Sequence, residues 1–128
     1  IKFRELTRSP RAPAAELTPH PEIVNRPWPE AVLRLESVNP ADWNLAVIQT
    51  DAILDAVLKD MGLDGSTMGD RLKQLDRAKL GSLDDVWEAH KIRNRIVHET
   101  DRVLSQAEAR RAVEFYARAL RELGYLPE

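Results

Sequence analysis

Six of the eight prolines, Pro10, Pro13, Pro19, Pro21, Pro27 and Pro29, fall within the first 29 residues. Proline lacks the amide hydrogen that internal helix and sheet bonds require, so no long helix and no internal strand can form there. Residues 1–28 therefore read as a proline-rich linker or leader. The segment 29–38 (PEAVLRLESV) predicts a short docking helix offering Val32, Leu33 and Leu35. Beyond it apolar residues recur at spacings of three and four, the period of helices packed on one side.

Four helices follow from that period and from their start signals. Asn39-Pro40-Ala41-Asp42 supplies an N-cap residue, a proline at the first helical position and an acid at the third. From there Trp43, Val47, Thr50, Leu54, Val57 and Met61 form a stripe, widened by Ala46, Ile53 and Leu58, that runs to Gly62 as C-cap. That is a helix of about 22 residues, or about 33 Å. Thr67 and Asp70 predict a capping box for a second helix, with Met68, Leu72 and Leu75 on its inner side and an end near Lys79. Ser82 and Asp85 predict another for a third helix, with Val86, Ala89, Arg93, Ile96 and Val97 facing inward as far as His98 or Glu99. Ser105 and Glu108 repeat the signature before the stripe Ala109, Ala112, Val113, Tyr116, Leu120 and Leu123, closed by Gly124. No run alternates with period two between turn residues, so no sheet is predicted. The expectation is an all-α protein, an antiparallel four-helix bundle over 39–126, with an extended proline-rich leader.

Composition narrows the function. A chain of 128 residues is one domain and has no room for a large cofactor-binding fold. A formal charge of −2 argues against bulk positive potential as the means of holding nucleic acid, though a local basic patch stays open. With no cysteine there are no disulfides, thiol nucleophiles or thiolate metal sites, and His20, His90 and His98 do not form a dense ligand cluster. No metal and no cofactor is expected. The opening IKFRELTRSP has no apolar core of a signal peptide, and Ile1 in place of methionine suggests part of something longer. The expected setting is cytoplasmic, or membrane-tethered through a segment upstream of residue 1, with the leader joining an absent domain or anchor. A bundle of about 85 residues has a limited core, which pairing with a second copy would extend.

The unusual stretch is WEAHKIRNRIVHETDR, Trp87 to Arg102, where His90, Lys91, Arg93, Asn94, Arg95 and His98 collect on one helix. His90, Asn94 and His98 stand one turn apart on the same side, with Arg93 beside that line. These residue types suit metal-free cleavage of an RNA phosphodiester. An imidazole exchanges protons with the 2′-hydroxyl or leaving oxygen, and a guanidinium neutralises charge on the phosphoryl oxygens. The plainer alternative is a solvated face with ion pairs to Glu99 and Asp101. On the same plain reading His90 serves the surface or packing, Trp43 and Trp87 serve the core or an interface, and Trp28 docks. Tyr116 is then a core residue with its hydroxyl at the surface. No stacking aromatic is expected near the motif, and Gly62, Gly65 and Gly69 make no phosphate loop, having no following Lys-Ser/Thr.

The helix DDVWEAHKIRNRIVHE resembles the signature helix of HEPN domains, the nucleotide-binding domains of higher eukaryotes and prokaryotes. In that family an arginine, often followed by asparagine, precedes a histidine across four to six residues, and Arg93, Asn94 and His98 match with four between. The likeness extends over about 85 residues, through the long helix from Trp43, the DRLKQL segment and EARRAVEFYARALREL. It implies an all-helical homodimer whose two signature helices line a shared cleft, commonly with metal-independent RNase activity. On that resemblance His98 would move the proton, Arg93 would contact the scissile phosphate and Asn94 would position them. His90, Lys91, Arg95 and Arg102 are candidate substrate contacts. Other members bind nucleotides or serve as non-catalytic partners, so a HEPN-like binding or sensor module and a tethered helical adaptor stay open. An antitoxin or larger assembly would be a further partner; where one antitoxin-paired subgroup carries tyrosine two residues after the histidine, this chain has Thr100.

Overall fold

The structure, a computed structural model, describes residues 19–99, 101 and 103–128. The leader up to residue 18, and Arg102 as a candidate substrate contact, lie outside the described residues. In chain order the helices are α1 (Glu22–Asn25), α2 (Pro27–Leu33), continued by a 3-10 turn at Arg34–Glu36, α3 (Pro40–Asp60), α4 (Met68–Leu72), α5 (Leu83–His98) and α6 (Gln106–Glu122). No strand occurs among the described residues.

The prolines shorten the first helices without abolishing them. Pro21 immediately precedes α1 and Pro27 opens α2, where a fixed φ favours a first helical turn and a missing amide costs nothing. The docking helix thus starts two residues ahead of the sequence expectation and, inside the stretch read as linker, Val24 is buried. Leu35 docks as expected, whereas Leu33 points to solvent.

Local chemistry sets the long helices. The Asn39 side chain accepts from the Ala41 amide at 3.0 Å to start α3. Gly62, at φ +89°, lets the Leu63 amide turn back to the Leu58 carbonyl and end it. Ser105 and Glu108 form the full capping box at α6, with reciprocal bonds of 3.0 and 3.1 Å.

Two starts differ from the sequence expectation. Thr67 accepts from Asp70 N at 3.1 Å, but the Asp70 carboxylate bonds Ser66 N, and α4 stops at Leu72 instead of running to Lys79. Asp76 is the reason: its side chain takes the amides of Ala78 and Lys79, each at 3.0 Å, in a turn that competes with the helix. At α5 the Ser82 side chain makes no cap; its own amide donates to Glu122 of α6 at 3.2 Å.

The long helices α3, α5 and α6 pack on one another, and α2 and α4 pack against α3. Asp51 and Asp60 of the α3 helix pair with Tyr116 and Tyr125, both 65 positions on, so α3 and α6 run in the same direction. Asp85 near the start of α5 meets Arg118 near the end of α6, so α5 runs against both. Three long helices, with short ones laid on α3, make an all-α fold. The core between them holds Leu54, Leu58, Val86, Leu104, Tyr116 and Leu120. Among the described residues, no helix is long and apolar enough to cross a membrane.

Candidate functional site

A groove of about 700 Å³ runs between α3 and α5, closed on a third side by the segment around α4. Its α3 wall carries Ile48, Asp51, Ala52, Asp55 and Lys59, and its α5 wall carries Trp87, His90, Arg93, Asn94 and His98. Both sets repeat at three and four residues, as side chains on one helix face do. The motif residues Arg93, Asn94 and His98 therefore share one opening, and His90 joins them. Lys91 is exposed and Arg95 half-buried, and neither lines the groove.

Val86 and Ala89 face inward on α5 as expected and Ile96 packs against the core, but Val97 does not join them. Leu83, Val86, Ala89, His90 and Ile92 are the buried residues, while Val97 is 44% exposed because it falls at the helix end beyond the packing of α3 and α6.

At the back of the groove sits Asp51, 3% exposed. A carboxylate at that depth requires partners. Its Oδ2 accepts from the Tyr116 hydroxyl at 2.5 Å and stands 2.8 Å from His90 Nδ1. Its Oδ1 lies 3.6 Å from Arg93 Nε, an ion-pair distance too long for a hydrogen bond, which leaves that buried nitrogen without an acceptor. Arg93 Nη1 donates to the side-chain oxygen of its neighbour Asn94 at 2.9 Å. Arg93 is thus held by Asp51 behind it and Asn94 beside it.

Of the two roles open to His90, surface or packing, it takes the second: at 8% exposure it is buried against Asp51, which the apolar stripe of α3 carries opposite it. One expectation is corrected here: the Tyr116 hydroxyl is not at the surface, since the same carboxylate draws it inward. Burial first, then the charge and hydrogen bond of Asp51, hold this phenol well above its ordinary range, so it stays a protonated donor.

At the other end of the groove Arg71, also buried, donates to Asp55 at 2.7 and 3.1 Å and to the Gly65 carbonyl at 2.5 Å. The Asp55 bond raises its pKa further above the ordinary guanidinium value. Trp87 lines the groove as well, its ring edge-to-face with His90 at 6.2 Å between centroids and 70° between planes. An aromatic therefore does stand beside the motif, because Trp87 lies one turn before His90 on the groove side of α5.

Reasoning from sequence missed Asp51 and the Asp55–Arg71 pair. The signal for Asp51 was a carboxylate four residues after Val47 and three before Leu54, in the middle of an apolar stripe. Among the described residues no group of three or more histidine or acidic side chains could hold a metal ion. Comparison of the chain with protein families, with curated proteins and with solved structures finds no match.

Proposed function

We propose that the groove is the cleavage site of a metal-independent endoribonuclease of the HEPN type, acting as a homodimer. The observation that carries this reading is that Arg93, Asn94 and His98 open on one groove. The 2′-hydroxyl of bound RNA attacks the neighbouring phosphorus while His98 takes its proton. The bond to the 5′ oxygen breaks, and that oxygen takes a proton from the imidazole of the second copy. The products are a 2′,3′-cyclic phosphate and a free 5′-hydroxyl. Arg93 offsets the charge developing on the phosphoryl oxygens, and Asn94, bonded to it, fixes its direction.

A second copy has a surface to use. Val38, Leu45, Val97 and Val103 are exposed, and all belong to the end of the bundle where α3 and α6 begin and α5 finishes. A second reading, a binding module without turnover, is favoured by the Arg93–Asp51 pair, which keeps part of the guanidinium charge inside the bundle.

Cleavage of structured and single-stranded RNAs in EDTA buffer, by the wild type beside His98→Ala and Arg93→Ala, separates them once all three are shown folded and equally dimeric. A metal-independent activity should fall at least about a hundredfold in His98→Ala. Activity that survives that substitution, or a wild type that binds RNA without cutting it, overturns the nuclease reading.

A further inference from the structure

The groove holds two arginine–carboxylate pairs, and they are built differently. Asp55 takes Arg71 side-on, through Nε at 2.7 Å and Nη2 at 3.1 Å, while Nη1 donates to the Gly65 carbonyl. Every nitrogen of that guanidinium is engaged. Arg93 faces Asp51 with Nε at 3.6 Å, gives Nη1 to Asn94 at 2.9 Å and, among the described residues, has no acceptor for Nη2.

The reason for the difference lies behind Asp51. A carboxylate closes on an arginine side-on by offering both of its oxygens, one to Nε and one to Nη2. Here Oδ2 is already taken by two donors from two other helices, the Tyr116 hydroxyl of α6 at 2.5 Å and His90 Nδ1 of α5 at 2.8 Å. Those bonds fill both of its acceptor directions. Only Oδ1 is left toward Arg93, so this pair is held by charge at one point and does not reach the two-bond form of Asp55 and Arg71. The same two bonds hold the carboxylate still in the interior, where its side chain is 4% exposed.

We propose that Asp51 is a positioning residue for Arg93, aiming its guanidinium at the scissile phosphate while leaving Nη2 free to bind it. The proposal rests on the endoribonuclease reading of this groove and adds to it a residue outside the Arg93, Asn94 and His98 motif. A guanidinium on a three-methylene stem that is held by Asn94 alone turns about that one bond. A second hold at Nε fixes the direction of the planar group. Asn94 stands next to Arg93 on α5, whereas Asp51 ties Arg93 to α3 and, through Tyr116, to α6.

Asp51→Asn tests this role, because it keeps the size of the side chain and an oxygen for the Tyr116 hydroxyl while removing the charge. In steady-state cleavage of a single-stranded RNA in EDTA buffer, kcat should fall about tenfold or more with KM no higher than in the wild type. Misdirection acts on the reacting phosphate, and loss of an acidic group does not weaken the attraction for RNA. Tyr116→Phe, which keeps the charge, should cost about two- to threefold. In an Arg93→Lys background, where the planar fork is already gone, Asp51→Asn should lower kcat by less than about twofold more. A KM that rises while kcat stays unchanged, a loss in Tyr116→Phe as large as in Asp51→Asn, or losses at the two positions that multiply overturns the proposal.

Side-chain nitrogen NMR reads the same contact without turnover. The Arg93 Nε–H signal, assigned by its absence in Arg93→Lys, should show slow rotation about the Nε–Cζ bond in the wild type and fast rotation in Asp51→Asn. Equal rotation in the two sinks the aiming role even in a protein that cuts RNA, and leaves the nuclease reading standing. A protein that shows the difference and never cuts RNA keeps the hold of Asp51 on Arg93 and loses the nuclease reading.

Discussion

Two nodes on α3, nine residues apart, use the same three residue types. Asp51 binds the Tyr116 hydroxyl at 2.5 Å and stands 2.8 Å from His90 Nδ1; Asp60 binds the Tyr125 hydroxyl at 2.6 Å and stands 2.8 Å from His20 Nδ1. Their surroundings differ. At the first, the His and Asp side chains are 10% and 4% exposed; at the second, 49% and 16%. Among the described residues the first is ion-paired with an arginine and lines the groove. The second fastens the start of the described chain to the ends of α3 and α6. One constellation thus serves as a fastening where water reaches it and as part of a candidate site where water is excluded. Depth and a neighbouring cation, and not residue type, separate the two.

The comparison is tested most strongly by removing each carboxylate. Asp51→Ala strands Arg93, His90 and Tyr116 in the interior and should cost about 3–5 kcal/mol in denaturant unfolding. Asp60→Ala, whose partners reach water, should cost about 1–2 kcal/mol. Equal losses would mean that burial does not distinguish the nodes.

Alkaline titration gives a smaller and more specific difference. The chain has two tyrosines, so Tyr125→Phe and Tyr116→Phe each leave one phenol to observe. Both phenols are held above their ordinary value near 10, chiefly by burial and then by the facing carboxylate. The unfolded chain therefore releases each proton first. The stabilisation is complete below about pH 10 and declines as pH rises beyond it. In Tyr125→Phe the phenolate absorbance of Tyr116 should appear only together with loss of helical circular dichroism. In Tyr116→Phe the less buried Tyr125 should begin to titrate ahead of unfolding. A Tyr116 that ionises near its ordinary value in the folded protein would refute the buried contact.

The smallest effect is expected at His20. Its ring is half exposed, so His20→Ala should cost less than about 1 kcal/mol and leave the groove unchanged. A larger loss in thermal unfolding would show that this fastening carries more than its exposure allows.

These nodes also mark where sequence reading stops. The starts of α3 and α6 were legible because their caps are local, Asn39 reaching two residues and Ser105 and Glu108 three. The motif row was legible because helical spacing alone puts Asn94 and His98 on one side. What was not legible depends on partners far along the chain. Asp51 finds its tyrosine 65 positions away and its histidine 39 away, and neither distance has a local signature. The shortened α4 is a different failure, in which an aspartate turn at Asp76 prevailed over an apolar pattern that allowed helix to continue.

The borrowed cap of α5 bears on the order in which the molecule is made. This helix carries every motif residue in the groove, yet the amide at its start is met by Glu122, forty positions later and on another helix. During synthesis the segment from Leu83 to His98 is made before that partner, and before the Tyr116 that completes the acceptor behind His90. The row therefore takes its final form after α6 has been made and has docked. A nascent chain paused before α6 would hold the motif in its sequence without yet holding the site.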